Sequence, residues 1–132
     1  MRYIETDGGR LGFAPNEQLD CTVRAFALVS QISYRDAHAM LAKAGRKEGK
    51  RMADFGTFMK AWCGRVCNTR YVRRAGDCGI TLGRYVKDHP TGRYLLRVRG
   101  HVVAVVDGVA LDLGEPKWRA IVRGAWCFED IA

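Results

Sequence analysis

The sequence predicts an α+β fold, with helices in the first part of the chain, an antiparallel sheet in the last part, and a single domain over residues 1–132. Two observations predict it. Apolar residues recur at helical spacing up to Pro90 and then alternate with polar ones, and no β-α unit repeats along the chain. A chain of 132 residues, 48% of them hydrophobic, also suits one core.

The first twenty residues, with Gly8, Gly9, Gly12 and Pro15, read as an extended or turning lead-in. A helix follows from Cys21, with Asp20 as its N-cap and Val23, Ala25, Phe26, Ala27, Leu28 and Val29 behind it, ending near Ser30. The second helix is punctuated more fully. Ser33 is its N-cap, Asp36 lies in its first turn, and Ile32 and Ala37 form a hydrophobic staple; Ala37, Met40, Leu41 and Ala44 share one face before Gly45. A third helix is expected from Asp54 or Thr57, carrying Phe55, Phe58, Met59 and Trp62 and stopping at Gly64. A short fourth one follows Thr81 through Leu82, Tyr85 and Val86 until Pro90.

Beyond Pro90, residues 94–98, a turn at Arg99-Gly100, and two strands around Asp107-Gly108 make a three-stranded antiparallel meander. Residues 118–122 and 125–128, separated by Arg123-Gly124, add two more strands. If Asp107-Gly108 is a two-residue turn, Val106 faces Val109, Val105 faces Ala110, Ala104 faces Leu111 and Val103 faces Asp112. Alternation then sets His101, Val103 and Asp112 on one face, with His101 and Asp112 as diagonal neighbours within hydrogen-bonding reach. Asp107 is explained by the turn.

Cys21 is the residue that these elements make chemically interesting. The free N–H groups and the dipole at a helix N-terminus favour thiolate over thiol. Cysteine, histidine and aspartate in that order suggest a nucleophile, a base and a group orienting the base: Cys21, His101 and Asp112. Thiolate attack on a carbonyl also needs donors for the oxyanion. The Cys21 N–H is one, and the side-chain amide of Asn16 or Gln18 is the second.

Other residues read as packing. Cys63, Cys67 and Cys78 match no common zinc spacing, so they are expected in core or loop, and Cys127 in strand packing; no metal or cofactor is expected. His38 belongs at the surface or a boundary, and His89 caps carbonyls at a helix end. Trp62, Trp118 and Trp126 suit core and sheet, and no phosphate-loop spacing occurs. Five cysteines do not read as a disulfide framework, and no apolar run reaches a membrane span, so a reducing cytoplasm is the expected setting. The net charge of +8, with 16 arginines, makes acidic partners plausible. Of the two densest basic clusters, 46–51 reads as an exposed loop and 70–74 does not.

The run 16–25 (NEQLDCTVRA), the capped helix start 33–38 (SYRDAH) and the strand 100–108 (GHVVAVVDG) together resemble small papain-like cysteine peptidases. The likeness is nearest to compact bacteriophage-encoded members and more distant to domains that trim bacteriocin leaders. It implies a papain-like fold, with the cysteine-bearing central helix packed on the C-terminal sheet. It also implies Cys21 as nucleophile, His101 as base and Asp112 as orienting carboxylate, and, if the chain is phage-encoded, a host cytoplasm. The expected function is hydrolysis of a peptide, isopeptide or related amide bond in a protein or peptide substrate, the basic surface favouring an acidic one. The alternative is an inactive papain-like binding module that engages a host protein or nucleic acid through its basic surface.

Overall fold

The computed structural model describes residues 2–52, 58, 65–66, 69–75 and 79–130. Among them are seven strands and three α-helices. β1 (Arg2–Glu5) and a 3-10 turn (Arg10–Gly12) precede α1 (Cys21–Ser30) and α2 (Tyr34–Lys43). β2 (Arg65–Val66), β3 (Thr69–Ala75) and α3 (Leu82–Asp88) come next, followed by β4 (Arg93–Val98), β5 (His101–Val106), β6 (Val109–Asp112) and β7 (Gly124–Asp130). The strands form one mixed sheet in the order β1-β6-β5-β4-β7-β3-β2.

Local chemistry explains the helix boundaries. Ser33 Oγ accepts from the Asp36 N–H at 3.0 Å, and Thr81 Oγ1 accepts from the Arg84 N–H at 3.1 Å, so α2 and α3 both start where the sequence places their caps. The first helix also spans the expected residues, but Asp20 does not cap it: its side chain makes no cap hydrogen bond. Charged partners described below hold that carboxylate instead.

The meander has the expected register, with Val106 opposite Val109, Val105 opposite Ala110 and Ala104 opposite Leu111. Asp107 and Gly108 take positive φ values of 49° and 76°, as a two-residue turn of this twist requires. The Asp107 carboxylate also accepts from the Gly92 N–H at 2.9 Å, tying the turn to the start of β4.

Three expectations are corrected. The sheet is antiparallel from β2 through β6, but β1 adds to its edge parallel to β6. Every β1 residue is exposed, so backbone pairing rather than an apolar face holds it, and no alternation announces it. Residues 118–122 are not a strand; they turn, and Ile121 makes only an isolated bridge to Thr81. Strand β3 comes from the middle of the chain and inserts beside β7. The expected helix near 54–64, with Trp62, and the cysteines at 63, 67 and 78 lie outside the described residues, apart from the helical Phe58.

Alternation splits the core into two layers. Leu95, Val102, Ala104, Trp126 and Phe128 pack with Val23, Phe26, Val29 and Leu41 of the first two helices. Leu96, Val103, Val105 and Ala110 pack on the other face with Leu82, Tyr85 and Val86 of α3 and with Val122. Two faces buried by helices on one side and by a helix and a loop on the other give a three-layer molecule. The N-terminus of α1 ends where β5 begins and β6 stops.

Candidate active site

At that end of the sheet, three elements each contribute one side chain. Cys21 opens α1 and is 9% exposed. His101 opens β5, and Asp112 closes β6. His101 Nε2 and Asp112 Oδ2 are 2.7 Å apart, and the thiol of Cys21 hydrogen-bonds the same imidazole. An ionised carboxylate only accepts, so Nε2 carries its hydrogen and Nδ1 remains to exchange a proton with the sulfur. The structure therefore brings Cys21, His101 and Asp112 together.

The electrostatics follow from these contacts. Burial pushes the Cys21 thiol up, but the His101 hydrogen bond and charge, the Val102 N–H and the Arg24 guanidinium together hold it below its usual value. The hydrogen bond to Asp112 and then that to Cys21 raise the imidazole to about 9 against opposing burial. For Asp112, burial is again the largest single effect and raises the pKa, yet His101, the Leu113 N–H and Arg24 outweigh it and keep the carboxyl low. All three directions favour a thiolate beside an imidazolium.

Arg24 was not anticipated as part of this group. Its Nη1 lies 3.1 Å from Asp112 Oδ1 and its Nε 3.0 Å from Asp20 Oδ1, all in the interior. Asp20 also receives Arg10 at 3.2 Å and the Tyr34 hydroxyl at 2.9 Å. Two arginines thus offset the carboxylate adjacent to Cys21. The available signal was an arginine inside the apolar run of a buried helix, which requires an acidic partner.

A second buried carboxylate anchors the strand of chain ahead of the thiol. Glu17 accepts from Arg46 at 3.1 Å and from the Gly49 N–H at 2.6 Å, and it lies 2.8 Å from His38 Nε2. Burial works against its charge, yet Arg46, His38 and the two N–H groups hold it near 2. This corrects the reading of 46–51 as wholly exposed, since Arg46 is buried on Glu17. It also gives the boundary histidine His38 a partner. His89 Nδ1 does meet the Tyr85 carbonyl at 2.8 Å, as expected of a helix end.

Neither side-chain candidate for the oxyanion, Asn16 or Gln18, joins the Cys21–His101–Asp112 group. Asn16 is exposed and lines a separate pocket with Phe13, Pro15, Glu17 and His38. Gln18 is also exposed, and only its backbone is engaged, by Arg46 and by Glu17. Between them and the thiol, Leu19 sits at a φ of 52°, a left-handed turn that a non-glycine residue adopts at a cost. Of the proposed donors, the Cys21 N–H retains its place at the first position of a helix, where it has no intrahelical acceptor.

A cleft of about 380 Å³ adjoins the site, with His101 and Asp112 in its wall and Leu82, Val98, Val103 and Ala120 among its apolar lining. Cys21 is not among the lining residues, so the cleft reaches the imidazole from the α3 side of the sheet. Among the described residues no cluster of three or more His, Cys, Asp or Glu suited to a metal ion occurs, and no helix is long and apolar enough to cross a membrane. No protein-family model, curated protein or solved structure matches the chain.

Proposed function

We propose that the chain is a papain-like thiol hydrolase that cleaves a peptide, isopeptide or related amide bond through an acyl-enzyme. The observation that supports this most is the unbroken contact from Cys21 through His101 to Asp112 at a helix N-terminus. In the reaction, Nδ1 takes the thiol proton and the sulfur attacks the carbonyl carbon. The Cys21 N–H stabilises the oxyanion; the C–N bond then breaks as Nδ1–H protonates the departing amine. Water, deprotonated by the same nitrogen, attacks the thioester and releases the acid and the thiol. Free thiols at Cys21 and Cys127 suit the reducing cytoplasm we assign to it.

Alkylation with iodoacetamide at mildly acidic pH tests the reading, with labelled peptides mapped by mass spectrometry. Cys21 should react ahead of Cys127, Cys63, Cys67 and Cys78, and His101→Ala should slow it. Labelling of Cys21 no faster than that of the others would reject an activated thiolate. The inactive binding module has one observation in its favour: Asn16 and Gln18 are both exposed, and Asn16 lines a pocket that Cys21 and His101 do not share, which leaves the oxyanion without the expected side-chain donor. A slow Cys21 together with retained binding to a protein or nucleic-acid partner would establish it.

A further inference from the structure

The cleft beside His101 is unevenly charged. Arg51, Arg99 and Lys117 all line it and are exposed, and none pairs with a carboxylate among the described residues. Two acids share the lining. Asp112 is already offset by His101 and Arg24, and Glu115 accepts the Trp118 indole N–H at 3.2 Å. Three cations against one uncompensated carboxylate, Glu115, leave this partly apolar cavity positively charged, a receptor for an anionic group.

Its position relative to the chemistry narrows which part of a substrate enters. In acyl transfer the departing nitrogen lies between the sulfur and the imidazole that protonates it, so the group attached to that nitrogen continues past the imidazole. The cleft touches His101 and Asp112 and not Cys21. That is the geometry of a leaving-group site.

We propose that this cleft binds the amine-side portion of the substrate and selects a carboxylate there, Arg51, Arg99 and Lys117 being its specificity residues. The assignment rests on the hydrolase reading for the word substrate, but not for the binding itself. A carboxylate on this side has two sources: an aspartate or glutamate side chain after the scissile amide, or the C-terminal carboxylate of a short leaving fragment.

The test uses the full chain and internally quenched peptides that differ only on the leaving-group side: Glu or Gln at the first two positions, each ending in a free acid or an amide. With wild type, kcat/KM should be about tenfold or more higher for the carboxylate-bearing member of a pair. Preference for Glu over Gln in amidated peptides assigns the side chain; preference for free acid over amide assigns the C-terminus. In Arg99→Ala/Lys117→Ala the ratio should collapse towards one, while Arg35→Ala, outside the cleft, keeps it. A ratio near one in wild type, or one unchanged in the double variant, overturns the proposal.

Binding separates this failure from that of the hydrolase reading. Fluorescence polarisation with Cys21→Ala and the same peptides, labelled and uncleaved, should show the same carboxylate preference and its loss in the double variant. Preferential binding without any turnover by wild type would reject the hydrolase and keep the anion site. Equal binding of Glu and Gln peptides together with equal binding of free acids and amides, or binding of a single-stranded oligonucleotide that depends on Arg99 and Lys117 while acidic peptides do not bind, would reject the site.

Discussion

Asp112 has both of its oxygens assigned, and this decides what its substitution does. Oδ1 takes Arg24 and the Leu113 N–H, while Oδ2 takes His101. In Asp112→Asn the amide oxygen must stay with Arg24 and Leu113, turning the NH2 towards Nε2. The imidazole then carries its hydrogen on Nδ1 and has no lone pair for the thiol. The variant should fold and lose about a hundredfold or more in turnover, measured as kcat/KM on any cleaved peptide. Asp107→Asn should stay near wild type, because an amide oxygen still accepts from Gly92, and Cys21→Ala should have no turnover. At this scale Cys21, His101 and Asp112 were legible because helix start, strand start and hairpin register each constrain one residue. Arg24 and Glu17 were not. Their roles depend on partners 88 and 29 positions away, and neither local spacing nor the meander reveals such pairings.

The first helix is seated by charge at one end and by packing along its length. Arg24 bridges Asp20 and Asp112, so it ties the helix that carries the sulfur to the strand that ends in Asp112. Arg24→Met leaves two buried carboxylates short of a partner and should cost about 3–5 kcal/mol in chemical denaturation. Arg24→Lys, which keeps the charge but cannot span both acids in a fork, should recover part of that stability and little turnover. Glu17 does the same for the segment before the thiol. Its pKa lies below the ordinary 4.5, near 2, so its stabilisation is complete above 4.5 and is lost as pH falls towards 2. Thermal denaturation from about pH 6 downwards should therefore fall more steeply for wild type than for Glu17→Gln, which is less stable at neutral pH because Arg46 is left buried and unpaired. Elements with their own punctuation were readable: Ser33, Thr81 and the Asp107-Gly108 turn fix α2, α3 and the hairpin. β1 was not, since it has no buried face. β3 was not either, because its place beside β7 is decided by a pairing with residues far along the chain, Ala75 with Ala125 and Thr69 with Asp130.

For the molecule as a whole, the coupling of three layers at one sheet end implies a particular dependence on pH. The proposed reaction needs the sulfur ionised and the imidazole protonated. The first condition fails below the lowered Cys21 value and the second above about 9, so kcat/KM should describe a bell whose alkaline limb lies near 9. Alkylation reads only the sulfur and should rise to a plateau without that limb; coincident profiles for the two assays would contradict the assignment. The same proton contributes to stability. The folded His101 lies above its ordinary 6.5, so its contribution is fully present below 6.5 and disappears as pH rises through about 9. Asp112 is the largest cause of that rise, and Asp112→Asn should bring the imidazole back towards 6.5. The melting-temperature gap between wild type and Asp112→Asn should then be widest at about pH 6, where Asp112 is ionised and His101 charged, and narrow steadily towards pH 9. A gap independent of pH over that range would mean that Asp112 acts on Arg24 alone, and that the imidazole does not hold its proton on the carboxylate's account.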